Sequence, residues 1–409
     1  MANLTTVVGS PENVGISSER LLRIDSSLQR YIDQEKLAGI VALIAREEQV
    51  CYFERFGQMS RETGMPMQLE TIFRIYSMTK PITSVAAMML WEEGRFQLDD
   101  PVSRYIPSLG KMKVHQESGN GSGSSLVDPN RPMTIRDLLT HTAGLTYGMW
   151  LKDVSAVDRM YDDANLLNRG HTLEEMVEKL SELPLVFHPG TRWCYSVATD
   201  VVARLIEVIS GMAFDEYLQQ MIFGPLAMPD TGFHVPEEKI ERLATTYSPT
   251  MSTGLKAIDT PADSFGRPPR FLGGGGGLVS TAPDYLRFAQ MMLNKGELDG
   301  VRFLGRKTVE LMTTNHLTPE LLPYSISPSM SGFTKGYGFG LGFAVMQDVT
   351  RATAMASNGE FNWGGAANTY FWVDPQEHLI GILLTQFMPM AHYNIDREFR
   401  VLAYQALAD

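Results

Sequence analysis

The stretch that decides the fold is IYSMTKPITSVAAMMLWEEG (75–94). Its apolar residues recur at helical spacing and a glycine ends the run, so the pattern predicts a buried helix. Ser77 and Lys80 stand three positions apart near the start of this helix and therefore share one face. A serine hydroxyl needs a base to act as a nucleophile, and a buried lysine serves as one once its pKa falls. The alternative is a capping serine beside a solvated lysine.

The position of Ser77 at the helix N-terminus favours the same chemistry. Free N–H groups and the positive end of the helix dipole stabilise developing oxyanion charge. Downstream, RWCYSVATD (192–200) contains Tyr195, whose phenol is suited to relay a proton between Ser77 and a leaving group. A packed core tyrosine is the alternative for that residue.

A second downstream segment, FNWGGAANTYFWVD (361–374), places Gly364 and Gly365 just before a predicted strand. Glycines in such a position let a substrate approach the backbone closely. The backbone N–H of Ala366 is then placed to pair with that of Ser77 in an oxyanion hole.

Strand patterns at both ends of the chain enclose a helix-rich middle. Apolar runs predict strands at 38–46, 50–57, 369–375 and 379–387, and helices at 18–35, 134–142, 173–183, 199–211 and 394–408. This order predicts an α/β fold in which one antiparallel sheet, assembled from both ends and flanked by helices, carries an inserted, mostly helical lobe. We expect a discontinuous α/β domain of residues 1–97 and 212–409 and a helical domain of residues 98–211.

Two glycine-rich stretches lie within the middle of the chain. The segment 115–131 is rich in glycine and serine, which predicts a loop, either a lid over the site or a disordered segment. Five consecutive glycines, Gly273–Gly277, lack the spacing of a phosphate-binding loop. Close backbone packing beside the site is the favoured interpretation.

The overall composition excludes several function classes. The 409 residues carry a formal net charge of −12, which argues against nucleic acid or an anionic membrane as a partner. Two cysteines make a disulfide framework improbable, and the eight histidines lack metal-ligand spacing, so no metal and no cofactor is predicted. Neither a signal peptide nor a membrane-spanning run is visible, and we expect a cytoplasmic protein.

The three motifs, taken in order, resemble the serine β-lactamase and penicillin-binding-protein superfamily. Ser77-x-x-Lys80 stands in the first motif position, Tyr195-Ser196-Val197 in the second, and Trp363-Gly364-Gly365 replaces the Lys-Thr-Gly third motif. This set is similar to that of the family VIII carboxylesterases. Matching segments are TIRDLLTHTAGLTYG (134–148), FGPLAMPDTGF (223–233), GGGLVSTAPDYLRFAQMML (275–293) and YGFGLGF (337–343). The resemblance spans roughly residues 20 to 405 and implies a β-lactamase/transpeptidase-like fold.

Two departures from the lactamase pattern narrow the class of substrate that the resemblance implies. Val197 stands where a lactamase of this class has an amide-binding asparagine, and Trp363 stands where it has a lysine that attracts carboxylates. Both changes favour uncharged, more apolar substrates. The expected substrate is a small carboxylic ester, with cephalosporin hydrolysis as a side activity.

Aromatic residues near the motifs are candidates for the substrate pocket. They are Trp363, Tyr76, Tyr147, Trp150 and Phe361. Aromatic side chains in such positions also serve as plain core, which is the alternative for each of them.

Other functions remain open from the sequence alone. An acyltransferase would use the same acyl-enzyme, and a β-lactamase or D-amino-acid peptidase would share the fold. A non-catalytic scaffold or sensor would be expected to lose Lys80 or Tyr195, and both are kept. The Gly-x-Ser-x-Gly pentapeptide of the other common serine esterases is absent, and His141 fits a structural helix end. The natural ester and the oligomeric state are not predicted.

Overall fold

The structure is a computed structural model that describes residues 10–117, 123–148, 155–250 and 254–408. Its α-helices are α1 (Ser18–Asp33), α2 (Thr79–Glu92), α3 (Ile135–Leu139), α4 (Ala156–Ala164), α5 (Leu173–Ser181), α6 (Ala198–Ser210), α7 (Phe214–Leu218), α8 (Ala282–Leu293), α9 (Arg306–Met312) and α10 (Ile395–Tyr404). Its strands are β1 (Gly39–Arg46), β2 (Gln49–Ser60), β3 (Met65–Pro66), β4 (Phe73–Arg74), β5 (Val114–Glu117), β6 (Ser124–Val127), β7 (Thr246–Pro249), β8 (Leu255–Asp259), β9 (Val279–Ser280), β10 (Glu297–Leu298), β11 (Val301–Arg302), β12 (Tyr337–Phe339), β13 (Ala344–Met346), β14 (Phe361–Gly365), β15 (Thr369–Asp374) and β16 (Leu379–Thr385).

One eight-stranded antiparallel sheet organises the molecule, in the order β12-β13-β14-β15-β16-β1-β2-β3. The junction between the two ends of the chain is the pairing of β1 with β16, in which Leu43 lies opposite Ile382. Since β16 and β1 are neighbours inside the sheet, strands distant in sequence share a continuous ladder. The predicted sheet built from both ends is confirmed.

Helices cover both faces of the sheet, and β1 shows why. All eight of its residues are buried. Ile40, Ala42 and Ile44 pack in the cluster that contains residues of α1 and α10. The alternate residues Val41 and Leu43 face a larger cluster that contains residues of α2 and α8. A strand buried on both faces reads as a continuous apolar run, because successive side chains point to opposite faces.

The larger cluster also includes the helices of the middle segment. Residues of α3, α5 and α6 belong to the same contiguous core as α2, and α2 packs directly on α6. This contact matters for the site, since α2 follows Ser77 and α6 follows Tyr195. The division of the chain into domains at 97/98 and 211/212 stays a prediction.

The glycine- and serine-rich segment 115–131 differs from its prediction as a loop. Strands β5 and β6 form an antiparallel hairpin in which His115 pairs with Leu126. Val114 is buried in the core, and the backbone N–H of His115 donates to the Leu185 carbonyl. Strand β5 is therefore anchored to the body of the protein. Its tip, residues 118–122, lies outside the described residues.

Two further expectations concern membranes and thiols. In the described part of the chain, no helix combines the length and the apolar character that crossing a bilayer requires. Cys51 is buried and Cys194 is half-buried, and the two do not form a disulfide with each other.

Candidate active site

Ser77 lies in a tight 3₁₀ turn, Tyr76–Met78, that runs directly into α2. The preceding residue, Tyr76, has a φ of 43°, a left-handed conformation that is uncommon for a residue with a side chain. Such strain persists only where the surroundings over-determine it, and it clusters at functional sites. One anchor of this turn is the hydroxyl of Tyr285, which donates to the Met78 carbonyl at 2.9 Å.

Lys80 is the best-connected side chain of the site. Its Nζ lies 3.2 Å from Ser77 Oγ, 2.9 Å from Tyr147 Oη and 2.7 Å from the carbonyl oxygen of Gly275. The residue is 1% exposed. A neutral amine has two N–H donors and one lone pair, so with the carbonyl and the tyrosine hydroxyl as acceptors its lone pair is free to face the Ser77 hydroxyl.

The burial of Lys80 sets its protonation. Burial lowers the pKa of the Lys80 ammonium to about 7, while the negative charge of Asp200 acts in the opposite direction. Desolvation penalises the charged form of a buried lysine and here outweighs the attraction. A lysine of this kind is partly neutral near pH 7 and is able to accept a proton.

Tyr195 completes the group around Ser77. Its hydroxyl hydrogen-bonds to the Ser77 side chain and accepts the indole N–H of Trp363 at 3.3 Å. The Nζ of Lys80 lies 4.4 Å from the centre of the Tyr195 ring. Burial raises the pKa of Tyr195, so the residue is a neutral phenol at neutral pH. A neutral phenol can donate or relay a proton, but it is not a general base in its resting state.

His141 lies behind Tyr195 rather than against Ser77. The two ring centres are 5.0 Å apart, and Nδ1 of His141 is 3.2 Å from Ser196 Oγ. Burial lowers the pKa of His141 well below its usual value, so the imidazole is neutral. The residue supports the ring of Tyr195, in line with the structural role predicted for it.

The end of β14 approaches the turn that carries Ser77. A Cβ on Gly365 would lie only 2.3 Å from the carbonyl oxygen of Ile75, so this contact requires glycine. Thr369 Oγ1 donates to the same carbonyl at 3.3 Å. Ala366 follows directly and lines the space in front of Ser77. Within the described residues its N–H makes no hydrogen bond, which leaves it able to serve as an oxyanion donor.

Two cavities open onto Ser77, and both are lined by Ser77, Tyr195 and Ala366. The larger, of about 520 Å³, extends past Tyr76 and Tyr147. Its further wall includes Phe265, Phe271 and Arg169. The smaller, of about 70 Å³, runs along Trp363 and Gly364, and its apolar wall includes Tyr324, Ile326, Met330, Phe333 and Met390. Two separate cavities of different size thus meet at Ser77.

Comparison with known proteins identifies the family. The profile of the Beta-lactamase family matches residues 24–405. This chain belongs to the Beta-lactamase family. The match covers almost the whole chain and agrees with the extent of the predicted resemblance.

Relatives within the Beta-lactamase family place the chain among esterase-like members. It is 30% identical to Esterase EstB of Burkholderia gladioli over 386 residues, which is 89% of each protein. It is 36% identical to Protein Rv1367c of Mycobacterium tuberculosis over 367 residues, again 89% of each. Its fold is similar to that of "EstCE1, a hydrolase with promiscuous acyltransferase activity", with a TM-score of 0.78, 28% identity and coverage of 94% of this chain and 99% of the other. The predicted resemblance and fold class are confirmed.

Two of the predicted pocket residues need correction, and a third, Trp150, stays a prediction. Phe361 is 1% exposed and packs edge-to-face on Phe343 at 5.2 Å, so it belongs to the core and not to either cavity. It lies two positions before Trp363 on β14, about 7 Å further along the strand. Gly365 accommodates the backbone of the protein itself rather than a substrate. Trp150 lies outside the described residues.

The sequence interpretation missed the role of two residues. Tyr147 was expected in the substrate pocket, and it does line the larger cavity, but its hydroxyl also binds Lys80. Asp200 was not singled out, although it is 2% exposed beside Lys80. One signal was present: an aspartate among the apolar residues that begin a buried helix.

The glycine run brings these residues together. A Cβ on Gly275 would lie 2.6 Å from Tyr147 Oη and 2.7 Å from Asp200 Oδ2. The predicted close backbone packing at Gly273–Gly277 is therefore confirmed at this position. In the described residues, no group of three His, Cys, Asp or Glu side chains is arranged to hold a metal ion.

Proposed function

We propose that this protein hydrolyses small, uncharged carboxylic esters through an acyl-enzyme on Ser77. It is a carboxylesterase-type serine hydrolase of the Beta-lactamase family, as its esterase relatives support. The observation that carries the proposal for this site is the Nζ of Lys80, fully buried and 3.2 Å from Ser77 Oγ. A nucleophile and a base with a pKa of about 7 are in hydrogen-bond reach of each other.

In the acylation step, Ser77 Oγ attacks the ester carbonyl while Lys80 takes the hydroxyl proton. The C–O bond to the alcohol breaks, and the departing oxygen receives a proton through Tyr195. The phenol is able to pass on this proton because its hydroxyl contacts Ser77 and is oriented by the indole N–H of Trp363. The N–H groups of Ser77 and Ala366 hold the oxyanion.

In the second step, water attacks the acyl-enzyme. The Lys80–Tyr195 pair accepts one proton of the water, the bond between the acyl carbon and Ser77 Oγ breaks, and Ser77 regains its proton. The acid leaves and the site returns to its starting protonation. An alcohol in place of water would give a new ester by the same steps, so acyl transfer is the second candidate activity. The wording "promiscuous acyltransferase activity" in the description of EstCE1 supports keeping it.

The preference for esters over β-lactams rests on the two departures from the lactamase pattern. Val197 is 2% exposed and apolar, so it offers no amide group to a peptide or a lactam side chain. Trp363 gives its N–H to Tyr195 and brings no positive charge for a carboxylate. Aromatic and aliphatic side chains dominate the smaller cavity, which suits an apolar arm of an ester.

A panel of nitrophenyl esters of rising chain length, measured beside nitrocefin, tests the proposal. We expect turnover of short esters that Ser77→Ala, Lys80→Ala and Tyr195→Phe each reduce by about a hundredfold or more with folding intact. Labelling by a fluorophosphonate should occur on Ser77. Preference for nitrocefin over every ester would overturn the ester assignment, and wild-type rates in Lys80→Ala would overturn the mechanism. Absence of labelling would favour a scaffold, and an added alcohol that outcompetes water would favour the acyltransferase.

A further inference from the structure

Asp200 is a buried carboxylate that the steps above do not use. It lies in the first turn of α6, five residues after Tyr195, and is 2% exposed. Its Oδ1 accepts the backbone N–H of Gly275 at 2.9 Å, and its Oδ2, fully buried, has no partner among the described residues. A half-satisfied carboxylate in the interior is costly and calls for an explanation.

The partner that Asp200 does have is also a partner of Lys80. The N–H of Gly275 donates a hydrogen bond to Asp200, and its carbonyl accepts one from Lys80 Nζ at 2.7 Å. Asp200 therefore anchors the residue whose carbonyl fixes the amine. Because Gly275 has no side chain, the carboxylate of Asp200 and the hydroxyl of Tyr147 can both approach its backbone closely.

The charge of Asp200 is the second link to Lys80. The titratable groups that face Lys80 are Tyr147 and His141 from the segment after α3, Tyr195 from the segment before α6, and Asp200 from α6 itself. Burial raises the pKa of both tyrosines and lowers that of His141, so these three are neutral. Burial also raises the pKa of Asp200, while the charge of Lys80 and the Gly275 N–H stabilise its carboxylate form. Among the described residues that face the amine, Asp200 is thus its acidic neighbour.

We propose that Asp200 is a positioning residue that acts on Ser77 through Lys80. It holds the Gly275 carbonyl on the amine, and its negative charge sets the pH at which Lys80 gives up its proton. This inference rests on the proposed role of Lys80 as the base.

The direction of the effect follows from the sign of the charge. A negative neighbour stabilises the ammonium form, so its removal favours the neutral amine at a lower pH. Asp200→Asn keeps the shape and an oxygen for the Gly275 N–H and removes the charge. The acidic limb of kcat/KM should therefore move to lower pH by about one unit or more. The plateau rate should fall, because a base with a lower pKa accepts a proton less readily.

Asp284→Asn is a matched control. Asp284 is also a buried carboxyl near the start of a helix, and burial raises its pKa to about 6, but its partners are the Asp230 N–H and the Thr231 hydroxyl. Its loss should affect stability without moving the acidic limb. Thermal melting of both variants verifies that they are folded.

The experiment compares wild type, Asp200→Asn and Asp284→Asn by the pH dependence of ester hydrolysis and of fluorophosphonate labelling at Ser77. A downward shift in Asp200→Asn alone supports the proposal. An unmoved midpoint, a shift to higher pH, or an equal shift in the control overturns it. If folded wild type is not labelled at Ser77 at any pH, both the proposed function and this inference are wrong. If wild type is active but the midpoint of the acidic limb is the same in Asp200→Asn, only this inference is wrong.

Discussion

Tyr147 Oη lies 2.9 Å from Lys80 Nζ, closer than Ser77 Oγ at 3.2 Å. The amine is thus held from two sides, by this hydroxyl and by the Gly275 carbonyl. Because these two contacts use the N–H groups of the neutral amine, its lone pair is directed toward the Ser77 hydroxyl. Preorganisation of this kind reduces the cost of reaching the reactive geometry.

Removal of the Tyr147 hydroxyl should therefore weaken the base without changing the shape of the larger cavity. Tyr147→Phe should lower kcat/KM by roughly fivefold, since loss of one hydrogen bond to the neutral amine corresponds to about 1 kcal/mol. The order of preference among nitrophenyl esters of different chain length should stay the same. Steady-state kinetics across the chain-length panel measures both.

Tyr161→Phe is the control for this variant. Tyr161 is also a buried tyrosine, and its hydroxyl has no hydrogen-bond partner within the described residues. Its rates should match wild type. A changed chain-length preference with an unchanged maximal rate in Tyr147→Phe would assign Tyr147 to substrate binding alone.

The pH profile of the wild-type enzyme should follow Lys80. Burial lowers the pKa of this residue to about 7, and only its neutral form accepts the Ser77 proton. The value of kcat/KM should be half-maximal near pH 7, fall by about tenfold per unit below it, and reach a plateau above it. A pH-stat, which monitors hydrolysis of a neutral ester through the base consumed, measures this pH dependence of kcat/KM. A flat profile from pH 5 to 9 would exclude Lys80 as the titrating base.

The sheet and the nucleophile pair were predictable because their signals are local. The continuous apolar run of β1 and the spacing of Ser77 and Lys80 are each contained within a few residues. Tyr195 and Trp363 were identified because they head motifs in a known order. Their direct contact through the indole N–H was not predicted, because it depends on how β14 lies against the segment before α6.

Tyr147 and Asp200 illustrate the limit of local patterns. Tyr147 contacts Lys80 directly, and Asp200 is linked to it through Gly275, although all of these residues are separated by dozens of positions in the chain. Only the packing of the glycine run between them creates the contact. The prediction for Phe361 was wrong for a related reason: a residue two positions from a site residue shares its face of the strand but need not reach the cavity.

The indole N–H of Trp363 should matter separately from its ring. Trp363→Phe keeps an aromatic ring against Tyr195, whose centre is 5.5 Å away, and removes the donor to its hydroxyl. Loss of one such hydrogen bond corresponds to about 1 kcal/mol, so kcat should fall roughly fivefold. Trp372→Phe is the matched control, because Trp372 is buried on β15 and its indole N–H has no hydrogen-bond partner in the described chain. Equal losses of kcat in the two folded variants would argue that packing, and not the hydrogen bond, is responsible.

The contact between β14 and the Ser77 turn should not tolerate a methyl group. In Gly365→Ala, the new Cβ would lie 2.3 Å from the Ile75 carbonyl oxygen and 2.2 Å from Thr369 Oγ1. Because one of these atoms is backbone, the strand or the turn must move, at a cost of about 1–3 kcal/mol in the free energy of unfolding. Either movement displaces Ala366 from Ser77, and loss of an oxyanion donor lowers kcat by about a hundredfold.

Gly232→Ala separates this effect from the general cost of replacing a glycine. The nearest atom to a Cβ on Gly232 is the His234 carbonyl oxygen at 3.8 Å, an ordinary contact. This variant should keep both its melting temperature and its kcat. For Gly365→Ala, thermal melting and kcat on a short nitrophenyl ester should both fall. Retention of wild-type kcat in that variant would show that the β14 end does not position the oxyanion hole, and the role proposed for Ala366 would then be wrong.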